Sequence, residues 1–368
     1  MASFRIVRGS TFLPVAGGVL AIALAQRVSA QNPPPPAHIA MVDGIAMLGH
    51  DDQLNEAAPQ MLFVPGDRIQ TTSGRVEILF PDGSALDVDG SSIVEMQSSS
   101  ILTIKHGRVQ LTVSDASNRS TVVGYQLVTR IASARTAAAG EYRLSLFDDT
   151  PAAAAEVELT VLRGTATLTS DRGEIWVPAG QRALAVESGP PPVVQALDST
   201  LSDEFQQWSA AERSERTATG ESTRYLPPDL QPYAAAFDSY GTWAYQQPEG
   251  YVWYPASAPG WRPYYEGYWV SVEPYGWTWV GFDRWAWATH HYGRWGTAGG
   301  RWFWKPGSQW APAWVQWATA AGYVAARNRR LHPGRRVPVA LSNAGQVPGS
   351  RVSNARLRHR ECGFPRGR

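Results

Sequence analysis

The stretches VEILFPDGSALDV at residues 76–88 and ILTIKHGRVQLTV at residues 101–113 determine the fold class. In both stretches, apolar side chains recur at every second position, which is the pattern of a β-strand with one buried face. Turn-forming residues interrupt each stretch, with Pro-Asp-Gly at 81–83 and His-Gly at 106–107. Each stretch therefore predicts two short strands joined by a turn.

The same alternation continues beyond these stretches. It returns at 142–146, 157–161 and 166–168, with glycine turns between the runs. Strands that follow one another at roughly eight to twelve residues, separated by glycine turns, are typical of a β-sandwich or β-roll. We therefore predict an all-β domain over residues 39–190, which ends at a run of prolines.

The first thirty residues have the features of a cleaved signal peptide. Arg5 and Arg8 precede an apolar stretch at 11–25, and small residues lead up to Ala30, after which we expect cleavage. The apolar stretch is shorter than the roughly twenty residues that span a bilayer, so an uncleaved anchor is the lesser alternative. Residues 31–38 follow as a Pro-rich, extended spacer.

Cysteine usage and charge agree with an exported bacterial protein. Cys362 is the only cysteine, so no intramolecular disulfide can form. The formal net charge is +1, but the leader contributes +3 and residues 325–368 contribute +10, so residues 31–324 carry −12. An acidic body argues against nucleic acid as a partner. No later apolar run has membrane-spanning length, so we expect a periplasmic or secreted product with no integral membrane span.

Residues 198–218 predict a short amphipathic helix between two domains. Leu201, Phe205 and Trp208 are spaced as on one face of a helix. Acidic residues come early in the segment and arginines come late, which matches the helix dipole. We expect the apolar stripe to pack on one of the two domains.

Residues 225–324 differ in composition from the rest of the chain. They hold fourteen of the sixteen tryptophans and twelve of the fourteen tyrosines. Five tryptophans recur every eight residues, with proline or glycine in each interval: Trp253, Trp261, Trp269, Trp277 and Trp285. This period is too short for a helical solenoid and predicts a β-meander of small hairpins.

Residues 325–368 are rich in arginine and poor in aromatic residues. We predict either a disordered basic tail that binds anionic surfaces or a C-terminus translated out of frame.

Short motifs in the first domain resemble the FecR-type periplasmic domain. They are PGDRIQT at 65–71, PDGSAL at 81–86, KHGRV at 105–109, VLRG at 161–164 and PAGQ at 178–181. The resemblance covers residues 39–187 and implies a periplasmic β fold without an activity. FecR-type proteins sense an outer-membrane transporter and regulate a sigma factor. That route needs a cytoplasmic segment and an internal membrane helix, and we identify neither here, so we do not expect the regulatory role.

The aromatic segment resembles an uncharacterised Trp/Tyr-rich module of exported bacterial proteins. Its units are YGTW at 240–243, YVWYP at 251–255, WRPY at 261–264, YGWTWV at 275–280, HYGRW at 291–295 and WAPAWV at 310–315. The resemblance ends near Val324 and implies no activity.

Recognisable catalytic motifs are absent from the sequence, which contains no nucleophile elbow, zinc-protease motif, phosphate-binding loop or dinucleotide fingerprint. We predict no cofactor and no metal. Adjacent residues on a strand point to opposite faces, so we interpret His290 and His291 as structural. Asp87 and Asp89 are interpreted as solvated strand residues and not as an acid pair.

The tryptophans are the strongest functional signal. Most of them must form the core of the aromatic segment, because each ring buries a large area and the segment has few aliphatic residues. We predict that an exposed minority stacks on a ligand. The candidates for this aromatic face are Trp253, Trp261, Trp269 and Trp277, together with Arg262.

Three functions remain open on the sequence. The leading hypothesis is a non-catalytic envelope protein that binds a cell-wall glycan, a peptide or a partner protein. The alternative is a FecR-like sensor or regulator of envelope signalling, which a neighbouring sigma-factor gene would favour. The third is an uncharacterised enzyme, which a pocket with convergent ionisable groups would favour.

Overall fold

The computed structural model describes residues 33–50, 53–115, 124–148, 154–197, 202–320, 323–328 and 338–340, with side chains up to residue 315. The predicted signal peptide and Cys362 lie outside this part. The described chain is mainly β, with one longer helix between two β regions, which confirms the predicted fold class. None of the described helices is long and apolar enough to cross a membrane.

The first β region extends from residue 37 to residue 196. Its strands are β1 (Ala37–Asp43), β2 (Ala46–His50), β3 (Gln53–Glu56), β4 (Leu62–Phe63), β5 (Asp67–Thr71), β6 (Arg75–Leu79), β7 (Ala85–Val88), β8 (Ile93–Ser98), β9 (Ile101–Val113), β10 (Gln126–Val128), β11 (Ala132–Thr136), β12 (Gly140–Phe147), β13 (Glu156–Arg163), β14 (Thr165–Ser170), β15 (Gly173–Pro178), β16 (Gln181–Val186) and β17 (Val193–Ala196). Strand β1 starts within the predicted spacer 31–38, and His38 is buried in it.

These strands form two sheets that enclose an apolar core. Sheet A has the strand order β4-β1-β6-β7-β9-β12-β13-β16-β17. Sheet B has the order β3-β2-β5-β8-β9-β10-β11-β14-β15. Among these neighbours β9 and β10 run parallel, and the other pairs are antiparallel. Strand β9 belongs to both sheets.

Strand β9 bends from sheet B into sheet A at Gly107. Residues 101–106 pair with β8 in sheet B, whereas residues 107–113 pair with β12 in sheet A. The sequence predicts a turn at residues 106–107, and this prediction is wrong because the chain continues as a strand. Gly107 has a φ of +85°, which glycine adopts without the penalty that other residues incur, so the strand changes direction without ending.

Helix α1 (Glu204–Thr217) lies on the face of sheet A that points away from the core. Asp203 caps its N-terminus by accepting a hydrogen bond from the Gln206 amide at 2.8 Å. Phe205 is buried, as expected for the predicted apolar stripe. Leu201 lies outside the described residues.

The contact between α1 and the sheet is mainly polar, which corrects the expectation of an apolar stripe. The helix residues involved and their partners are Asp203 with Arg108 and Arg143, Gln206 with Arg143, Ser209 with Asp87, Arg213 with Glu141, and Arg216 with Glu77. They recur every three or four residues and therefore share one side of the helix. The reason is the sheet itself, because alternate residues of β6, β7 and β12 place charged side chains on this face.

Asp87 and Asp89 are buried, which contradicts their interpretation as solvated residues. Asp87 accepts a hydrogen bond from the Ser209 hydroxyl. Asp89 Oδ1 accepts a hydrogen bond from Arg75 Nε at 3.0 Å, and its other oxygen accepts from Arg108 Nε at 2.9 Å. Both carboxylates lose contact with water because α1 and the neighbouring arginines cover this face.

The second region starts after α1 with two short 3-10 helices, Glu221–Arg224 and Pro228–Tyr233. Its further elements are α2 (Ala234–Tyr240), β18 (Gly241–Gln246), β19 (Gly250–Pro255), β20 (Gly267–Val272), β21 (Gly276–Gly281), α3 (Ala286–His291), β22 (Arg294–Ala298), β23 (Arg301–Lys305), β24 (Val315–Ala320), β25 (Tyr323–Asn328) and β26 (Pro338–Ala340). Strand pairs β18–β19, β20–β21 and β22–β23 are antiparallel hairpins. In addition, β19 pairs with β23, so two hairpins join into one sheet.

Strands β25 and β26 include residues of the segment 325–368, for which the sequence predicts a disordered or out-of-frame tail. Strand β25 pairs with β24 and with β26. At residues 325–328 and 338–340 the backbone is therefore paired strand, and the rest of that segment lies outside the described residues.

Replacement of Gly107 by alanine should destabilise the first region strongly. A Cβ at this position would lie 2.6 Å from the carbonyl oxygen of Ser91 and would collide with the Ser92 hydroxyl. The left-handed conformation adds about 1–2 kcal/mol and the overpacking about 1–3 kcal/mol. We expect Gly107→Ala to lower the free energy of unfolding, measured by urea denaturation, by about 2–5 kcal/mol.

The matched control is Gly180→Ala in the same region. Gly180 has a φ of +76°, but a Cβ there would meet no atom within 4 Å. This variant should lose only the conformational part, about 1–2 kcal/mol. Equal losses in the two variants would contradict a special steric role for Gly107.

Replacement of Asp87 by asparagine should change how stability depends on pH. Burial raises the pKa of Asp87 from 3.8 to about 7, so the folded state holds a proton that the unfolded state releases. That stabilisation is present at acid pH and is lost as the pH rises from about 4 to about 7. Over this interval the unfolding free energy of the natural protein should fall relative to Asp87→Asn by up to about 1.4 kcal/mol per pH unit. Urea denaturation at several pH values measures this, and parallel curves for the two proteins would contradict it.

Candidate functional site

The five residues predicted to form an exposed aromatic face do not lie on one surface. Trp253 and Trp269 are buried, with exposed fractions of 0% and 8%. Trp261 and Arg262 are half-buried, and Trp277 is 40% exposed. Of these candidates, Trp277 is therefore the one with a ring open to solvent.

The eight-residue spacing fails as a guide to a surface because it connects different kinds of element. Trp253 lies in β19 opposite Trp243, and Trp269 lies in β20 opposite Trp279. Trp261 lies in the loop between those strands and packs edge-on against Trp285 at 5.1 Å. A constant spacing places residues on one face only within a single regular element.

Most of the described tryptophans of this region form its core, as the composition predicts. The buried ones are Trp253, Trp269, Trp279, Trp285, Trp287, Trp295, Trp304 and Trp310. Their contacts are mostly edge-to-face or tilted, with centroid distances of 5.1 Å between Trp253 and Trp285 and 5.2 Å between Trp269 and Trp279. Such geometry is favourable for aromatic pairs, so the rings replace the usual aliphatic core.

His290 and His291 lie in α3 and are buried. His290 Nδ1 donates to the Ala286 carbonyl at 3.1 Å, and its Nε2 accepts from the Tyr264 amide at 3.3 Å. His291 Nδ1 donates to the Ala311 carbonyl at 3.0 Å. Burial lowers the pKa of His290 to about 3 and that of His291 to about 4, so both rings are neutral and are engaged by the backbone. Within the described residues, no three His, Cys, Asp or Glu side chains are grouped as a metal site.

His38 connects the first β region to the aromatic region. Its ring is stacked on Trp287, with a centroid distance of 3.8 Å and an interplanar angle of 6°. Tyr233 stacks at 5.9 Å from the same histidine. Burial, with a smaller contribution from His291, lowers the pKa of His38 well below its usual value, so an uncharged ring sits in this contact.

Four aromatic side chains form a group at the β18–β19 hairpin, which we call the tyrosine cluster: Trp243, Tyr245 and Tyr251 of the hairpin and Tyr225 from the segment before it. Tyr225 lies 4.8 Å from Trp243 and 4.5 Å from Tyr251, and it is nearly parallel to Tyr251. Tyr245 packs edge-on against Tyr251 at 5.5 Å. Tyr245 is 64% exposed and Tyr251 is 51% exposed, so the cluster extends from the core into solvent.

Hydrogen bonds fix the inner end of the tyrosine cluster. Trp243 Nε1 donates to the Ser222 hydroxyl at 2.8 Å, and that hydroxyl donates to Asp238 Oδ1 at 2.5 Å. The Tyr225 amide donates to the Ser222 carbonyl at 3.1 Å. Tyr245 and Tyr251 face each other across the hairpin. The hydrogen bonds therefore fix the Trp243 ring and the backbone at Tyr225, against which the exposed tyrosines pack.

Sequence reasoning missed Tyr225, Tyr245 and Tyr251 because it followed the tryptophan period. The sequence does contain a signal for the two hairpin tyrosines. Side chains alternate between the two faces of a hairpin, so a turn at 247–249 places residues 243, 245, 251 and 253 on the same face. The contribution of Tyr225 had no such signal, because it comes from a separate segment.

A family model described as a family of unknown function (DUF6600) matches residues 234–330. The match covers most of the aromatic segment 225–324 and extends past Val324, where the resemblance described above is expected to end. It supplies no activity. No curated protein matches this sequence significantly.

Two crystal structures of a "putative anti-sigma factor from Parabacteroides distasonis ATCC 8503" are similar to part of the chain. They are 11% and 12% identical to it, and each comparison covers 36% of this chain and 61% of the other, with a TM-score of 0.30. This chain thus spans less than two thirds of those proteins, and a TM-score this low carries no argument about fold or role. The FecR-type resemblance of residues 39–187 stays a prediction.

The burial difference between Trp253 and Trp277 has a direct test. Removing a fully buried tryptophan leaves a cavity, so Trp253→Ala should lower the unfolding free energy by about 3–5 kcal/mol. Trp277→Ala removes a partly exposed ring and should cost less than about 1 kcal/mol. Urea denaturation of both variants provides the comparison, and similar losses would show that the burial is misassigned.

Proposed function

We propose that this protein is a non-catalytic protein of the bacterial envelope and that it binds a cell-wall polysaccharide through the tyrosine cluster. The observation that carries the proposal is the pair of exposed rings of Tyr245 and Tyr251, which pack against each other and, through Tyr251, on the half-buried Tyr225. Envelope localisation rests on the signal peptide predicted at residues 1–30.

The geometry of the tyrosine cluster suits an uncharged, ring-shaped ligand. An aromatic side chain offers an apolar face, and a tyrosine adds a hydroxyl that can exchange hydrogen bonds with a sugar. Tyr245 and Tyr251 lie at right angles to each other, with an interplanar angle of 77°, and both remain accessible. Rings that already pack against one another lose less conformational entropy on binding, which favours binding.

Electrostatics favour a neutral polymer over a polyanion. Residues 31–324 carry a net charge of −12. An anionic polymer would therefore be repelled by the body of the protein, whereas a neutral glycan would not. The polar groups beneath the cluster, Ser222 and Asp238, hold Trp243 in place and are occupied by that role. This arrangement supports binding without chemistry.

Replacing Tyr245 and Tyr251 together by alanine should abolish retention of the recombinant protein on insoluble cell-wall glycan. Both side chains are largely exposed, so the fold should persist and circular dichroism should be unchanged. We expect at least a tenfold weaker binding, because about 1.4 kcal/mol of lost contact corresponds to that factor.

The control is Tyr265→Ala, which removes an exposed tyrosine outside the cluster. The guanidinium carbon of Arg262 lies 4.3 Å from the centre of the Tyr265 ring, and Tyr265 lies outside the β18–β19 hairpin. Retention of this variant should equal that of the natural protein. No retention of the natural protein, or equal loss in both variants, would refute binding by the tyrosine cluster.

A further inference from the structure

Helix α1 is attached to sheet A at five positions along one side, and all five are polar. The attachment starts at Asp203, which accepts from Arg108 Nη1 at 2.6 Å and Arg143 Nη1 at 3.0 Å. It ends with the ion pair between Arg216 and Glu77. These polar contacts run along the full length of α1 and hold the whole helix against sheet A. We call a helix held in this way a strap.

The ion pair at the C-terminal end of this attachment is removed from water. The side chain of Glu77 is 4% exposed and that of Arg216 is 9% exposed. The free energy needed to dehydrate such a pair offsets most of its attraction, so a buried ion pair fixes geometry while adding little net stability. The apolar part of the attachment is small, since Phe205 is the buried apolar residue of α1. Docking of α1 is therefore specific but weak.

The C-terminal end of α1 leads directly to the tyrosine cluster. Seven residues after Thr217 the chain reaches Arg224, the last residue of the first 3-10 helix, and Tyr225 follows. Gly220 lies so close to the Asp238 carboxylate that a Cβ would collide with it. The Ser222 amide also donates to Asp238 Oδ1 at 2.9 Å. The short segment 218–225 thus runs from the end of α1, where Arg216 meets Glu77, to Tyr225, and Asp238 contacts it at Gly220 and Ser222.

We propose that α1 is a reversible strap that couples the charged face of sheet A to the tyrosine cluster. When the charge pairs hold, α1 is docked and Tyr225 is stacked between Trp243 and Tyr251. When they are weakened, α1 leaves the sheet and Tyr225 loses its stacked position. The polar contacts of α1 and the short segment between α1 and Tyr225 support this coupling, and its effect on ligand binding rests on the function proposed above.

Charge reversal and charge exchange at residues 77 and 216 test the strap. Arg216→Glu places two carboxylates together, so hydrogen exchange of the amides in residues 204–217, followed by mass spectrometry, should be at least tenfold faster than in the natural protein. The double variant Glu77→Arg with Arg216→Glu restores an opposite-charge pair and should recover most of the protection. Exchange in β12 and β13 serves as the internal control for the fold and should be equal in all three proteins.

Salt provides a second measurement that needs no substitution. Asp203 is 40% exposed and its partner Arg108 is 31% exposed, so salt screens the pairs at the start of α1. Exchange of residues 204–217 in the natural protein should therefore speed up from low ionic strength to about 1 M salt, while the core strands stay protected. Two results would overturn the proposal. One is that the amides of α1 exchange their hydrogens only when those of β12 and β13 do. The other is that the amides of α1 are no better protected in the double variant than in Arg216→Glu alone.

The effect of α1 on ligand binding is measured in a separate experiment. Retention on insoluble cell-wall glycan should fall at least tenfold in Arg216→Glu and return in the double variant. If the natural protein is not retained at all, the proposed ligand is wrong, while the exchange measurements still decide whether α1 is a strap. If retention is unchanged although α1 is released, the coupling to the tyrosine cluster is refuted.

Discussion

The backbone conformation at Gly107 is the constraint on which the other contacts of the first β region depend. A positive φ at this residue lets β9 leave sheet B and continue in sheet A, so both sheets share one strand. This continuity sets the position of sheet A and hence of the charged residues on its outer face, among them Glu77, Asp87 and Glu141. Helix α1 packs on that face, and Tyr225 follows α1 in the chain. A single glycine thereby influences a surface more than a hundred residues away.

The first β region and the aromatic region bury different kinds of side chain. The first region buries aliphatic side chains between sheets, with Leu102, Ile104, Val109 and Leu111 of β9 all fully buried. The aromatic region has few such residues and buries rings against rings and histidines, as around Trp285. Between them, α1 uses charges. Buried apolar residues of both regions belong to one continuous cluster, and His38 of β1 stacks on Trp287. The polar attachment of α1 therefore adds specificity, with a small net free energy, to an apolar contact between the regions.

The sequence predicted the mainly β architecture and the short helix because both are encoded in local periodicity. It failed at residues 106–107, because the sequence does not show which strands pair with this segment. Without that information, a glycine inside a strand cannot be told from a glycine in a turn. It also failed at Asp87, because burial of a charged residue depends on a helix more than a hundred residues further along the chain. Within the aromatic region, composition predicted a core of tryptophans, but exposure depends on which hairpin face packs inward. Tyr225 joins its cluster only through tertiary contact, which no spacing reveals.

The stacking of His38 on Trp287 has a consequence for biosynthesis. β1 is made first and pairs with β6 early, yet one face of the His38 ring has no partner until α3 has been synthesised some 250 residues later. Contacts of such long sequence separation form late and slow the completion of folding. Until then, the face of the His38 ring that Trp287 covers in the folded protein stays uncovered.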